Sequence, residues 1–466
     1  MRWKLNLMRG TVKIGRGSVV AEVPYTRGTL LIADDALARG FLALGVPGAG
    51  KSYFVSHILR GALSKGLKAL IYAPKDDLAR YVGESYKMAY WPAAPSGGSE
   101  FQPNLFIDAY YVARHKLKHP FLVFHEFLSY ASPAEGQNKE WMQYAGNFLS
   151  LYFYMVYRSG VKVLPRRSDK IADYLPNHAE VMDRLSERSF DEVADELKAF
   201  VESLDAEERR IMAPAASAVR AYYSATYGDV KSSFSTAFAL YMQALMHPYF
   251  VKSYDGSIFQ LVPSAAGSKP GAEELDGIYF WQSDIGNTPN ALISAYIQTY
   301  ITLLFHYRNA VKGDPAILVV LDDFVTIPPI DSLAKLPNIG RAVGLWTVVT
   351  AQSLEHLKYG RSEKVDLAAA FYCILLFNTM SKDLAEFIKE RIGSERPRVG
   401  LFGRGGRSGA ELMATVGQID AAVLNVLKSG TAILMCADQI YKGKTYAVVK
   451  LYGERLIDHI IKWLWT

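Results

Sequence analysis

The stretch Gly45-Val-Pro-Gly48-Ala49-Gly50-Lys51-Ser52 constrains this chain more than any other. Before it, Phe41-Leu-Ala-Leu44 reads as a short buried strand; after it, Tyr53-Phe-Val-Ser-His-Ile-Leu-Arg60 carries apolar residues at helical spacing. A glycine-rich turn between strand and helix, ending in a lysine and a hydroxyl residue, matches the full pattern G-x-x-x-x-G-K-[ST] of a phosphate-binding P-loop. The chemistry follows from the residue types. Gly45, Gly48, Ala49 and Gly50 let the backbone wrap closely around an anion, and the helix opening through Lys51, Ser52 and Tyr53 points free N–H groups at it. Lys51 is placed to reach the β- and γ-phosphates, and the Ser52 hydroxyl to ligate magnesium. ATP with Mg2+ is the expected ligand.

A chain of 466 residues exceeds one simple core, so two lobes, or one domain with a large insertion, are expected. Half of the residues are hydrophobic and 21% are charged, which excludes a disordered chain. The formal net charge of +6 permits a polyanionic partner without requiring one. Cys373 and Cys436, the two cysteines, lie in apolar strand-like runs and read as buried thiols of a reducing compartment, with neither a disulfide nor a metal site expected. The N-terminus lacks a signal-peptide core, and no window is long and apolar enough to span a membrane. The expected location is cytoplasmic, or peripheral at the cytoplasmic face of the membrane through a partner.

Residues 10–34 alternate apolar and polar positions between glycines, which predicts a small antiparallel β element beside the P-loop strand. Leu67-Lys-Ala-Leu-Ile-Tyr72 completes a strand–helix–strand unit, so the sheet is expected to be parallel. From 105 to 248, amphipathic helical stretches replace the strand-like alternation, as in Trp141–Tyr152 and Phe190–Val201, and predict an all-α insertion. Acidic residues crowd 180–210, either as a solvated helix face or as a docking surface for a basic partner. Strand patterns resume at Gly277–Trp281, Ala316–Leu321, Leu345–Thr350, Tyr372–Phe377, Ala432–Cys436 and Ala447–Leu451, with a long helix over Ala291–Tyr307. The expected organisation is therefore 1–104 as β element and first part of the ATPase domain, 105–248 as insertion, 249–453 as second part of the ATPase domain, and 454–466 as a helical tail.

A P-loop needs an acidic strand end opposite it, and Leu318-Val-Val-Leu-Asp322-Asp323 supplies one. Asp322 is the candidate magnesium ligand through water, and Asp323 the candidate carboxylate that activates the attacking water. A second apolar strand ends in Thr350-Ala-Gln352, where the amide can reach the γ-phosphate or its water, since C-terminal strand ends line the ligand crevice of a parallel sheet. Arg341 lies in the turn before that strand, at the opposite end of the sheet. There it is badly placed for its own nucleotide and well placed for a neighbouring subunit's, as an arginine finger in trans.

In order along the chain stand the P-loop, Ala73-Pro-Lys-Asp-Asp77, a helical insertion, Leu321-Asp-Asp-Phe324, Ile339-Gly-Arg-Ala-Val-Gly-Leu345, Thr350-Ala-Gln-Ser-Leu-Glu-His-Leu357 and Tyr359-Gly360. This series resembles the type IV secretion coupling proteins, the TraG/TraD-like conjugative ATPases related to the FtsK and HerA translocases. Phe377–Gly393 and Leu451-Tyr-Gly453 resemble later segments of the same family, so the likeness covers most of 35–453. It implies an α/β fold: a RecA-like P-loop NTPase with a mostly parallel central sheet, the small N-terminal β element and the all-α insertion. It also implies a homo-hexameric ring that hydrolyses ATP to move DNA, or protein-bound DNA, toward a secretion channel, with a relaxase-like or membrane-anchored partner. By position, Lys51, Ser52 and Asp322 match the phosphate and metal residues, Arg341 the finger and Gln352 the γ-phosphate sensor. There are two departures: Asp323 stands where the family usually has Glu, and the family's N-terminal transmembrane helices have no counterpart in this sequence.

For DNA, the basic glycine-rich run Leu401-Phe-Gly-Arg404-Gly-Gly-Arg407-Ser-Gly409 suits close approach to phosphates, or is a surface loop with no ligand. Lys75 either faces the nucleotide or DNA, or caps its strand. The tail from Glu454 presents one apolar helical face, for the protein's own core, or for a membrane-bound partner or the membrane surface. Two further functions share these residues. One is a viral genome-packaging or HerA-like translocase. The other is a nucleotide-gated recruitment scaffold with slow turnover, which the short Asp323 favours.

Overall fold

The computed structural model describes residues 9–451 except 76, 83–84, 93, 95–97, 133–138, 165–170, 226–227, 249, 251–255, 263–273, 282–289, 324–332, 334, 354–357, 360–364, 379–429 and 438–445. It separates into two compact units, one of Met1–Ser85, Ala316–Val325 and Leu333–Thr466, the other of Tyr86–Pro315 and Thr326–Ser332.

The first unit is built on strands that are apolar throughout. β4 (Phe41–Leu44), β5 (Lys68–Ala73), β9 (Ile317–Leu321) and β13 (Cys373–Leu376) are buried at every position, and β10 (Leu345–Ala351) at all but one. Continuous apolar runs of this length are what a parallel sheet covered on both faces demands. Accordingly β13, β4, β10, β9 and β5 lie side by side in that order, all parallel. Register then aligns their ends: Leu44 lies opposite Ala351, and Leu321 opposite Val349. The P-loop after β4, the acids after β9 and the amide ending β10 therefore emerge together. β14 (Thr431–Cys436) and β15 (Tyr446–Lys450) extend the β13 side antiparallel. A two-residue pair, β11 (Lys358–Tyr359) and β12 (Val365–Asp366), is also antiparallel.

α1 (Asp34–Ala38) precedes β4, and α2 (Lys51–Ser64) follows the P-loop and buries Phe54, Val55, Ile58, Leu59, Ala62 and Leu63. α3 (Asp77–Val82) follows β5. The N-terminal element comprises β1 (Val12–Ile14), β2 (Val19–Tyr25) and β3 (Gly28–Ala33). It is not wholly antiparallel as the alternation suggested: β2 pairs antiparallel with β3, but β1 runs parallel to it. Alternation reports which face is buried and carries no information on strand direction. β2 lies directly on α2 at Gly61, where a Cβ would come within 2.6 Å of the Val20 carbonyl oxygen. This contact accounts for a glycine in a helix interior, a choice that otherwise costs about 1 kcal/mol against alanine.

The cysteines are a second correction. Cys373 and Cys436 form a disulfide, where buried thiols were expected. They sit on adjacent antiparallel strands and directly face each other in the register, with Cα atoms 4.1 Å apart. A separation of 63 residues gives no hint of that pairing.

In the second unit β6 (Met88–Trp91) pairs in parallel with β7 (Ser99–Glu100) and β8 (Gly277–Trp281). Between 105 and 248 the described residues form helices and no strand: α4 (Leu105–Arg114), α5 (Pro120–Tyr130), α6 (Lys139–Val163), α7 (His178–Ser186), α8 (Phe190–Ser203), α9 (Ala206–Ile211), α10 (Ala213–Ser224) and α11 (Gly228–Leu245). α12 (Asn290–Ala310) follows and is buried along most of its length. Side-chain caps start several of these helices where the sequence offers Asn104, Asn177, Ser189 and Asp205. The acidic run is partly used inside the bundle. Glu208 accepts from Arg158 and Tyr154 at 2.9 and 3.1 Å, Asp191 and Asp195 accept from Tyr222 and Tyr223, and Glu196 pairs with Arg188. Among the described residues no helix is long and apolar enough to cross a membrane.

Candidate nucleotide-binding site

The P-loop connects β4 to α2, and its shape depends on two residues with positive φ, Gly48 at 74° and Gly50 at 113°. Residues with a Cβ rarely adopt that backbone. The loop is braced from three sides: the Gly45 amide donates to Ala351 O at 3.1 Å, the Val46 amide to Asn378 O at 2.9 Å, and the Gly430 amide to Ala49 O at 3.0 Å. Lys51 is 6% exposed and turns back over the loop, its Nζ donating to the carbonyls of Gly45 and Val46 at 2.7 and 3.2 Å. Burial pulls its pKa below the ordinary lysine value, while Asp323 and Asp322 act in the opposite direction. A buried ammonium beside a fixed loop of N–H groups is a site that an anion completes.

The acidic end of β9 closes against this loop. The Ser52 hydroxyl donates to Asp322 Oδ2 at 3.1 Å, and the Asp322 amide is tied to Tyr72 O at 2.8 Å. Asp322 is 6% exposed, and burial pushes its pKa up; the donated Thr350 bond opposes this, and the neighbouring Asp323 charge reinforces it. Asp323 takes a left-handed backbone, φ 47°, an uncommon state for a residue with a side chain. Its carboxylate Oδ2 accepts from Gln352 Nε2 at 3.1 Å. Thr350 links the two acids: its hydroxyl donates to Asp322 Oδ1 at 2.6 Å and accepts from the Asp323 amide at 2.8 Å. Hard oxygen donors from Ser52 and Asp322, set together at the mouth of a phosphate loop, suit Mg2+ with water in its remaining positions. No cluster of three or more His, Cys, Asp or Glu side chains able to hold a metal occurs among the described residues.

Lys51, Ser52, Asp322, Asp323 and Gln352 are thus brought into one constellation. Arg341 is not part of it. It opens a short helical turn, Arg341–Val343, before β10, at the far end of the strand from Gln352. Half exposed, it donates to Asp35 Oδ1 at 3.2 Å, and Asp35 is also paired with Arg39. The Arg39 guanidinium lies 3.8 Å over the Tyr372 ring centroid. Tyr53 stands on the first turn of α2 with its ring against His57, centroids 4.6 Å apart. Lys75 is exposed just past β5. Arg404, Arg407 and the tail 454–466 lie outside the described residues.

Residues 316–410 match the family model described as the TraM recognition site of TraD and TraG, a segment that includes Asp322, Asp323, Arg341 and Gln352. No curated protein matches the chain. Among solved structures, the unbound monoclinic form of the bacterial conjugative coupling protein TrwBdeltaN70 aligns at a TM-score of 0.64 and 18% identity, over 94% of this chain and 89% of that one. The plasmid coupling protein TrwB in complex with ADP and Mg2+ aligns at 0.61 and 16% identity, over 96% and 94%. VirB4 of Thermoanaerobacter pseudethanolicus aligns at 0.52 and 14% identity, over 96% and 99%. The chain has the fold of the conjugative coupling proteins. It is a RecA-like P-loop NTPase fold, and the motif resemblance read along the sequence is matched by both the family segment and the architecture.

Two residues escaped the sequence reading, one in the constellation and one at the far end of the sheet. Thr350 was visible as part of Thr-Ala-Gln, but only the strand register shows its hydroxyl between two acids from another strand. Asp35 carried no signal at all, because its partner Arg341 is 306 residues away.

Proposed function

We propose that this chain is an ATP-hydrolysing ring motor that translocates DNA, or protein-bound DNA, in conjugation-type transfer. The observation that carries the reading is the closure of the P-loop onto the acidic strand end, Ser52 to Asp322 at 3.1 Å across 270 residues. In this reading Lys51 and the loop amides of Gly45 through Tyr53 hold the phosphates, and Ser52 and Asp322 hold Mg2+. Held by these two side chains, the metal would supply positive charge that offsets the charge developing on the phosphates. Asp323 takes up the attacking water's proton, and Gln352, now bonded to Asp323, turns between that carboxylate and the γ-phosphate. Arg341 serves the nucleotide of a neighbouring copy, which makes a homo-hexamer the working form. DNA binding draws on the positive net charge, with Arg404, Arg407 and Lys75 as candidate contacts. A relaxase-like or membrane-anchored protein is the proposed partner, and 316–410 is the segment for it, since its family description names a recognition site in TraD and TraG.

The test is steady-state ATP hydrolysis without DNA, with single strands and with duplex, using Lys51→Ala as the blank. DNA stimulation that disappears in Lys51→Ala and in Arg341→Ala supports a ring motor and identifies its track. ATP binding with negligible turnover under every condition overturns the motor and leaves the nucleotide-gated scaffold.

A further inference from the structure

We propose that Thr350 is a positioning residue for both carboxylates of the site, fixing Asp322 for the metal and Asp323 for the attacking water; this rests on the ATPase reading above. The side chain is fully buried, at 0% exposure. One hydroxyl offers one proton and two lone pairs, and both roles are used: the proton goes to Asp322 Oδ1 at 2.6 Å, and a lone pair takes the Asp323 amide at 2.8 Å. Each bond answers a need that its partner cannot meet from its own strand. Asp322 is buried; Ser52 holds its Oδ2, and the hydroxyl from β10 fixes its Oδ1. Asp323 has the left-handed backbone, and its amide is held in that conformation by the Thr350 hydroxyl. Since side chains two apart share a strand face, Thr350 and Gln352 reach the same side of β10, and Gln352 holds the Asp323 carboxylate. The end of β10 and the residue after it thereby set the aim of both carboxylates.

The same strand provides a control. Thr347 is equally buried, yet its hydroxyl has no hydrogen-bond partner among the described residues. Replacing either threonine by valine keeps the shape and removes the hydroxyl, but only at 350 are two buried polar groups left without their partner.

The experiment uses the full chain as Thr350→Val, Thr350→Ser and Thr347→Val. Affinity for a fluorescent ADP analogue is measured in EDTA and across a Mg2+ titration, followed by single-turnover ATP hydrolysis. Thr350→Val is expected to bind the analogue as wild type in EDTA, to need about tenfold more Mg2+ for the same enhancement, and to hydrolyse about 10–100-fold more slowly, as loss of an outer-shell partner does. Thr350→Ser should recover most of both, and Thr347→Val should match wild type. On the protein alone, Thr350→Val should melt lower than Thr347→Val, because only at 350 do the Asp322 carboxylate and the Asp323 amide lose a partner. A Thr350→Val protein with a wild-type Mg2+ response overturns the proposal, as does an equal loss in Thr347→Val. Absence of nucleotide binding in wild type would instead remove the ATPase reading; a lower Tm for Thr350→Val than for Thr347→Val would then still support the two bonds of Thr350, and equal values would overturn them.

Discussion

Asp322 and Asp35 stand at opposite ends of the same parallel strands, and the protein treats the two carboxylates in opposite ways. Asp322 follows β9, is 6% exposed, and has its pKa raised by burial against the pull of Thr350. Asp35 belongs to α1 ahead of β4, has a side chain 23% exposed, and has its pKa lowered, first by the hydrogen bond from Arg39 and then by the charges of Arg39 and Arg341. One end of the sheet carries a charge at a cost to stability, interlocked with its neighbours. The other carries partly exposed charges, where pairs are weaker and more exchangeable. A group that must meet a metal gains from the first setting, and a group that must leave one partner for another gains from the second.

The largest expected effect comes from the exposed end. Arg341→Ala should leave nucleotide affinity and Tm as in wild type, because among the described residues its side chain makes one half-exposed pair, with Asp35 at 3.2 Å. Hydrolysis by the assembled protein should nevertheless fall about 10³-fold, the range of arginine fingers. Comparing single-turnover rates above and below the assembly concentration checks this. An equal loss at both would place Arg341 outside trans catalysis.

Next comes Asp322→Asn, which separates stability from activity at the buried end. The amide oxygen still accepts from Thr350, but the charge is gone, so Mg2+-dependent hydrolysis should drop about 100-fold. Stability should move the other way. A carboxylate whose folded pKa lies above its unfolded value weakens the fold increasingly as pH rises from the unfolded pKa through the folded one. Asp322→Asn should therefore melt higher than wild type at pH 8, with the gain vanishing toward pH 4. A variant that melts lower at pH 8 would mean that Asp322 is held by its partners more firmly than burial opposes it.

Gln352→Ala should cost less, about tenfold in hydrolysis, with Mg2+ response unchanged. Among the described residues its side chain bonds to Asp323 Oδ2 and not to Asp322. A shift in Mg2+ requirement would show that the two acids act as one unit.

These contrasts also explain what the sequence made legible. The P-loop, the apolar run ending at Asp322 and Asp323, and the strand ending at Gln352 are local patterns, each complete within about ten residues, so chemistry and position could be read together. The parallel sheet followed from buried runs without alternation. What could not be read depends on which strand lies beside which. The Cys373–Cys436 pair, the parallel direction of β1, the bridging hydroxyl of Thr350 and the Asp35–Arg341 pair all arise from registers and contacts between distant segments. Asp323 shows both sides of this: its short side chain is plain in the sequence, but the left-handed backbone that carries it is not.

The smallest effect sharpens the comparison most. Asp35→Asn removes the carboxylate that holds Arg341 and Arg39. Because these are exposed pairs, the loss of stability should stay below about 1 kcal/mol and shrink further in high salt. Its pH dependence has the opposite sign from that at Asp322. A lowered folded pKa means the contribution is present above the unfolded value of 3.8 and is lost as pH falls through the folded one, so wild type and variant should converge in acid. In the proposed ring, Arg341 would have to leave Asp35 before it could reach a neighbour's nucleotide. Freeing it removes a hold of at most about 1 kcal/mol, which corresponds to a rise in hydrolysis of no more than about fivefold. A fall on the scale of Arg341→Ala would reverse the relation: Asp35 would then be the group that aims Arg341 across the interface, and both ends of the sheet would work by the same fixed geometry.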